Sequence, residues 1–196
     1  MFTEGVITKK EKALLAVALF AARREEQEML HMTNIAVEEG NTTAEIAECI
    51  ASTIISRGIP AWLSGVGAIE KSIMLQGEEQ MHLPAVEAFQ TEEECITYYR
   101  REFEILPQWV DYLISFAPDT LLKYSNLRTT SLKDGLVSRL HKELLLYAIN
   151  ICDQYEKGIA IHKANAKQLG AGPLHLQEIK ELCVYAVGIR AVIGGK

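Results

Sequence analysis

Helix-start and helix-stop signals recur along this chain so densely that they leave little room for any element but helices. Thr8 stands three residues before Glu11, Thr42 before Glu45, and Thr91 before Glu94. In each pair the threonine hydroxyl can accept the amide three residues on, while the glutamate reaches back to the cap amide. Two donors that a helix start leaves bare are thereby satisfied. The stops are as legible: Gly40 lies ahead of Thr42, Gly58 ahead of Pro60, and Gly172 ahead of Pro173. A glycine closes one helix and a proline opens the next. Pro107 and Pro118 also stand where short helices begin. The strict alternation of a half-buried strand is nearly absent. The expected helices are 8–39 (with a break near Arg23), 42–57, 60–76, 91–103, 107–115, 118–128, 136–151, 153–169 and 175–189. The fold class is all-α.

Composition narrows the partners. The 196 residues are 48% hydrophobic and 23% charged, with a formal charge of −6. That balance suits a globular core and disfavours binding to nucleic acid phosphates. Lys9, Lys10 and Lys12 followed by ALLAVALFAA (Ala13 to Ala22) have the outline of a secretory signal. The apolar pattern continues helically through Met29, Leu30 and Ile35, however, so the segment reads as a core helix. No stretch approaches the ~20 apolar residues of a membrane span, and the expected location is cytoplasmic. The cysteines, Cys49, Cys95, Cys152 and Cys183, are far apart in sequence, with no Cys-x-x-Cys pair. They read as small buried apolar residues, and no internal disulfide is expected.

The chain also resembles itself. At an offset of 131, His31 falls on His162, Asn34 on Asn165, Glu25 on Glu156, and Lys12 opposite Glu143. The expected organisation is a first repeat over 1–75, a linker and connecting helix over 76–102, and a second repeat over 103–196. Gly, His, Pro and acidic residues mix in 76–90, which marks the crossover.

The run KELLLYAINICDQYEKGIAIHKANAKQLGAG, from Lys142, resembles the core of carboxymuconolactone decarboxylase-like (alkylhydroperoxidase D-like) proteins. It has the Lys-Glu-Leu start, the alanine-bearing helix, and a histidine 19 residues after the glutamate, here Glu143 and His162. The resemblance covers about residues 103–196 well, and ITKKEKALLAVALFAARREEQEMLHMTNIAVEEGNTTAEIAECI is similar to the same core. It implies a helical bundle with two related halves. Because relatives assemble into trimers or hexamers, it also implies a homo-oligomer, a trimer first and a dimer second. One departure is decisive. The alkylhydroperoxidase D branch carries cysteines seven and four residues before the histidine, where this chain has Tyr155 and Gly158 (and Arg24 and Gln27 in the first half). A dithiol cycle at that place is chemically impossible.

By the resemblance, Glu143 meets His162 in the core, and such a pair can pass a proton near neutral pH. On helical spacing Tyr155 shares a face with His162 and can act as an acid, while Gly158 leaves room for a ligand. His31, with Lys12 and Arg24, could bind an anionic ligand. The implied activity is acid–base catalysis, either decarboxylation or lactone-type proton transfer, on a small oxygenated carbon acid. The alternatives are a non-catalytic helical assembly or ligand-binding module, and a peroxidase acting through Cys152 alone. No His-Glu-x-x-His or glycine-rich phosphate loop is present, so neither a metal nor a cofactor is expected. The expected partner is a small molecule. Whether Glu143 and His162 open onto a cavity or lie sealed in the core separates the first two readings.

Overall fold

The computed structural model describes residues 3–77, 87–103 and 105–193. Much of the expected crossover, residues 78–86 with His82, lies outside the described residues. Every regular element among the described residues is helical: α1 (Lys9–Arg23), α2 (Glu26–Glu38), α3 (Thr43–Ser52), α4 (Ile54–Arg57), α5 (Ile59–Gln76), α6 (Glu92–Glu102), α7 (Gln108–Phe116), α8 (Pro118–Leu132), α9 (Arg139–Cys152), α10 (Glu156–Gln168), α11 (Pro173–Val187) and α12 (Arg190–Ile193). This is the all-helical bundle that the resemblance implies.

The described residues of 1–82 and 134–196 form one compact unit, and those of 83–133 form a second. The stretch expected as a second repeat, 103–196, is thus divided: α9–α11 belong to the larger unit with the helices of the first half, and α7 and α8 belong to the smaller.

In the larger unit two helices are central because their sequences are apolar nearly all round, and their few buried polar residues find partners there. Each residue of α1 from Lys12 to Ala22 is buried, as is each residue of α9 from Lys142 to Ile151. A helix without a polar face is stable only when wrapped by others. Helix α1 is wrapped by α2, α3, α5 and α9, and α9 by α10, α11 and α1. All three threonine capping boxes form. The expected 8–39 helix breaks at Arg24, whose φ of 62° is left-handed. Its amide donates to Ala21 O and the next amide to Phe20 O, which offsets the roughly 1–3 kcal/mol such backbone costs a non-glycine residue. The expected 42–57 helix splits at Thr53, where the Ser52 and Thr53 hydroxyls each donate 2.6 Å bonds to carbonyls three residues back. Gly172 is extended; the left-handed closure before α11 belongs instead to Gly170, at φ 101°.

Local geometry recurs at a spacing of 130, not the 131 expected from the histidines. Left-handed Arg24 matches Gln154, Gly40 matches Gly170, and Gly58 matches Gly188. Glu25 and Tyr155 cap their helices with nearly the same angles, φ −97°, ψ 82° and φ −90°, ψ 89°. Lys12 therefore stands opposite Lys142 rather than Glu143, and His162 opposite Met32 rather than His31. The two lysines form exchanged ion pairs: Lys12 Nζ lies 2.9 Å from Glu178, and Lys142 Nζ lies 2.5 Å from Glu48. Glu178 also accepts the Val6 and Ile7 amides, and Glu48 accepts the Leu136 amide. Similarity of side chains misplaced the register by one because these exchanged partners lie far away in sequence.

The smaller unit has its own core of Cys95, Tyr98, Tyr99, Val110 and Leu121. Tyr99 sits edge-on to Tyr98 and Trp109, and its hydroxyl accepts from Ser125 at 3.2 Å.

Candidate functional site: the Glu143–His162 pair

Glu143 is carried into the larger unit by α9, and its carboxylate has no exposure. A buried carboxylate needs donors, or its desolvation costs several kcal/mol. Two reach it from α10: His162 Nδ1 lies 2.7 Å from Oε2, and Asn165 Nδ2 donates to Oε1 at 3.2 Å. His162 and Asn165 are three residues apart, so they occupy one face of α10. With Glu143 ionised, His162 carries its proton on Nδ1 and presents Nε2 as a base. The histidine side chain keeps 11% of its exposure whereas the carboxylate is sealed. The pair is thus a sealed core carboxylate with a buried imidazole that retains a small exposed part.

Gly158 is buried one turn before His162, and a Cβ there would run into Asn150 Oδ1 and the Tyr155 ring. The space that the missing side chain leaves is therefore filled by Asn150, which is anchored by its bond to Leu146 O at 2.7 Å. Tyr155 is the N-cap of α10 and 54% exposed. No hydrogen bond joins it to the Glu143–His162 pair among the described residues.

The first-half cluster does not assemble. His31 and Arg24 are exposed, whereas Lys12 is buried on Glu178, with a further bond to Thr3 O. At the spacing of 130, apolar Ala13, Met32 and Ile35 stand where the second half has Glu143, His162 and Asn165. The polar trio belongs to one half only.

Two features escaped the sequence. A cavity of about 230 Å³ lies between the halves of the larger unit, lined by Thr8, Glu11, Asn41, Glu45, Ser138 and His141 among others. Glu143 and His162 do not line it. His141 Nε2 is 3.3 Å from Glu11, and burial holds the imidazole below its ordinary range. Asn41 is 1% exposed and its Oδ1 has no hydrogen-bond partner. The second feature is a pair of thiols. Cys183 on α11 sets its sulfur 3.5 Å from the carbonyl oxygen of Ala148 on α9, one turn before Cys152, which is 31 residues away in sequence. No spacing rule could have found it. Cys49, by contrast, is an inert core thiol pushed by burial to about 12.

The fold is an all-helical bundle that holds a glutamate–histidine pair in its core. Residues 1–71 match the model of the carboxymuconolactone decarboxylase family, to which this part of the chain is similar. The match falls on the half without the polar trio. No curated protein matches the chain.

Proposed function

We propose that Glu143 and His162 perform acid–base catalysis on a small oxygenated carbon acid, by decarboxylation or lactone-type proton transfer. The observation that carries this reading is the 2.7 Å bond between a wholly buried carboxylate and an imidazole that keeps a small exposed part. Nε2 removes a proton from the carbon beside a carbonyl, or returns one after carbon dioxide leaves. Glu143 stabilises the imidazolium formed between these events. Tyr155, exposed at the N-cap of the same helix as His162, is the donor to a substrate oxygen. A thermal-shift screen of small carboxylic acids and lactones supplies the ligand, followed by a turnover assay. Glu143→Gln and His162→Gln are each expected to abolish binding or turnover with the helical fold intact, and His31→Gln to cost little. The reading fails if His31→Gln abolishes the activity while His162→Gln leaves it intact.

A non-catalytic ligand-binding role is the second reading, supported by the cavity around Asn41. Binding sensitive to Asn41→Ala and indifferent to His162→Gln favours it. The third, a peroxidase using Cys152 alone, has against it the second thiol beside that residue.

The reading extends to assembly, origin and location. The recurrence at 130 supports a duplicated helical unit. Ile59, Leu63, Leu174 and Ile189 are each more than half exposed, an apolar surface that suits burial between subunits. A homotrimer is proposed first and a dimer second; light scattering showing a stable monomer of 21.9 kDa overturns both. No described helix is long and apolar enough to cross a membrane, in keeping with the proposed cytoplasmic location.

A further inference from the structure

We infer that Cys152 and Cys183 form a cross-helix redox site, which a small disulfide converts to an intramolecular disulfide tying α9 to α11. Helices α9 and α11 pack directly against each other. The Cys183 sulfur lies 3.5 Å from the carbonyl oxygen of Ala148. That carbonyl is four residues before Cys152 on α9, so it accepts the Cys152 amide within the helix. The Cys183 thiol therefore rests on the last turn of α9 beside Cys152, and donates to the Ala148 carbonyl. Neither cysteine occupies the positions that the family resemblance assigns to a thiol pair, which here are Tyr155 and Gly158.

The two sulfurs are differentiated as nucleophile and resolving thiol. Cys152 is half-buried and Cys183 fully buried, so a reagent meets Cys152 first. The hydrogen bond from Cys183 holds the Cys152 thiol below its ordinary range. Burial opposes that shift, as does the Glu25 carboxylate, while Arg23 and Arg57 reinforce it. Both guanidiniums are ion-paired, Arg23 to Glu25 and Arg57 to Asp153, which holds them in place and offsets part of their charge. Cys183 is shifted up by the same thiol contact and by burial, and keeps its proton until Cys152 has reacted. An accessible thiol held below its ordinary range, beside a second thiol that keeps its proton, is an arrangement suited to thiol–disulfide exchange.

The exchange balances with a low-molecular-weight disulfide as oxidant. The Cys152 thiolate attacks one sulfur, the small S–S bond breaks, and the first thiolate leaves and takes a proton. Cys152 now carries a mixed disulfide. Cys183 gives up its proton, its sulfur attacks the Cys152 sulfur, and the second small thiolate departs. Two protein thiols are oxidised, and one disulfide is reduced to two thiols.

The experiment uses the full chain and oxidised glutathione, with thiols counted in denaturant before and after. Four thiols are expected to fall to two. Peptide mapping should link Cys152 to Cys183 within one chain, the melting temperature should rise, and dithiothreitol should restore all four thiols. In Cys183→Ser the reaction should stop at a glutathione adduct on Cys152. In Cys152→Ser the remaining three thiols should survive, and circular dichroism should show both variants folded. Glu143→Gln should form the disulfide normally, since this site is independent of the acid–base pair. A wild-type chain that accumulates the glutathione adduct, links only between chains, or loses no thiols overturns the inference.

Discussion

Lys142 lies 2.5 Å from Glu48, a residue 94 positions earlier, with its own side chain only 1% exposed. Burying an ammonium is expensive unless a carboxylate goes with it, and removing one partner strands the other. We expect Lys142→Met alone to lower the unfolding free energy by about 3–5 kcal/mol. Adding Glu48→Gln should recover most of the loss, because the amide oxygen can still accept from the Leu136 N–H. Urea denaturation of the two variants measures this, and a double variant no better than the single rules out the stranded charge as the cause.

Gly158→Ala tests how tightly the candidate site is packed. The new methyl would run into the Asn150 side chain, which is 5% exposed and anchored to Leu146 O. Relief requires that anchor to break, so a loss of about 1–3 kcal/mol is expected. Thermal unfolding reads it. If the variant melts with the wild type, the Asn150 amide moves freely.

Acid should weaken the fold through His141 before the carboxylates contribute. Burial holds this imidazole below its ordinary value; Glu11 opposes the shift and His175 reinforces it. Its unfolded form therefore takes up a proton at a higher pH than its folded form does. The stability it contributes is complete above the ordinary histidine range, and is lost as pH falls through the lower folded value. Glu11 adds a later loss. Burial raises its carboxyl, but the bonds from the Thr8 hydroxyl and amide outweigh that and hold it low. Melting temperatures across mildly acidic pH should show the decline, and His141→Gln should flatten its upper part. An unchanged slope in the variant assigns the decline elsewhere.

The sequence by itself determined the elements, because their causes are local. Thr8, Thr42 and Thr91 capped the helices their glutamates announced, and ALLAVALFAA had to become a buried helix because it has no polar face. The spacing of Glu143 and His162 was also local enough to carry the pair from family resemblance to a 2.7 Å bond. Side-chain identity did not reveal the backbone state of Arg24, a left-handed residue that is not glycine and is held by bonds to Phe20 and Ala21 through its turn. Only the tertiary structure decided the rest. Lys12 finds Glu178 and Cys152 finds Cys183 through the packing of helices far apart in the chain, and no periodicity encodes which distant partner will arrive. The same packing left His31 in solvent and Lys12 in the core. Burial is a property of the assembled helices, and it set the chemistry of residues whose types alone were compatible with several roles.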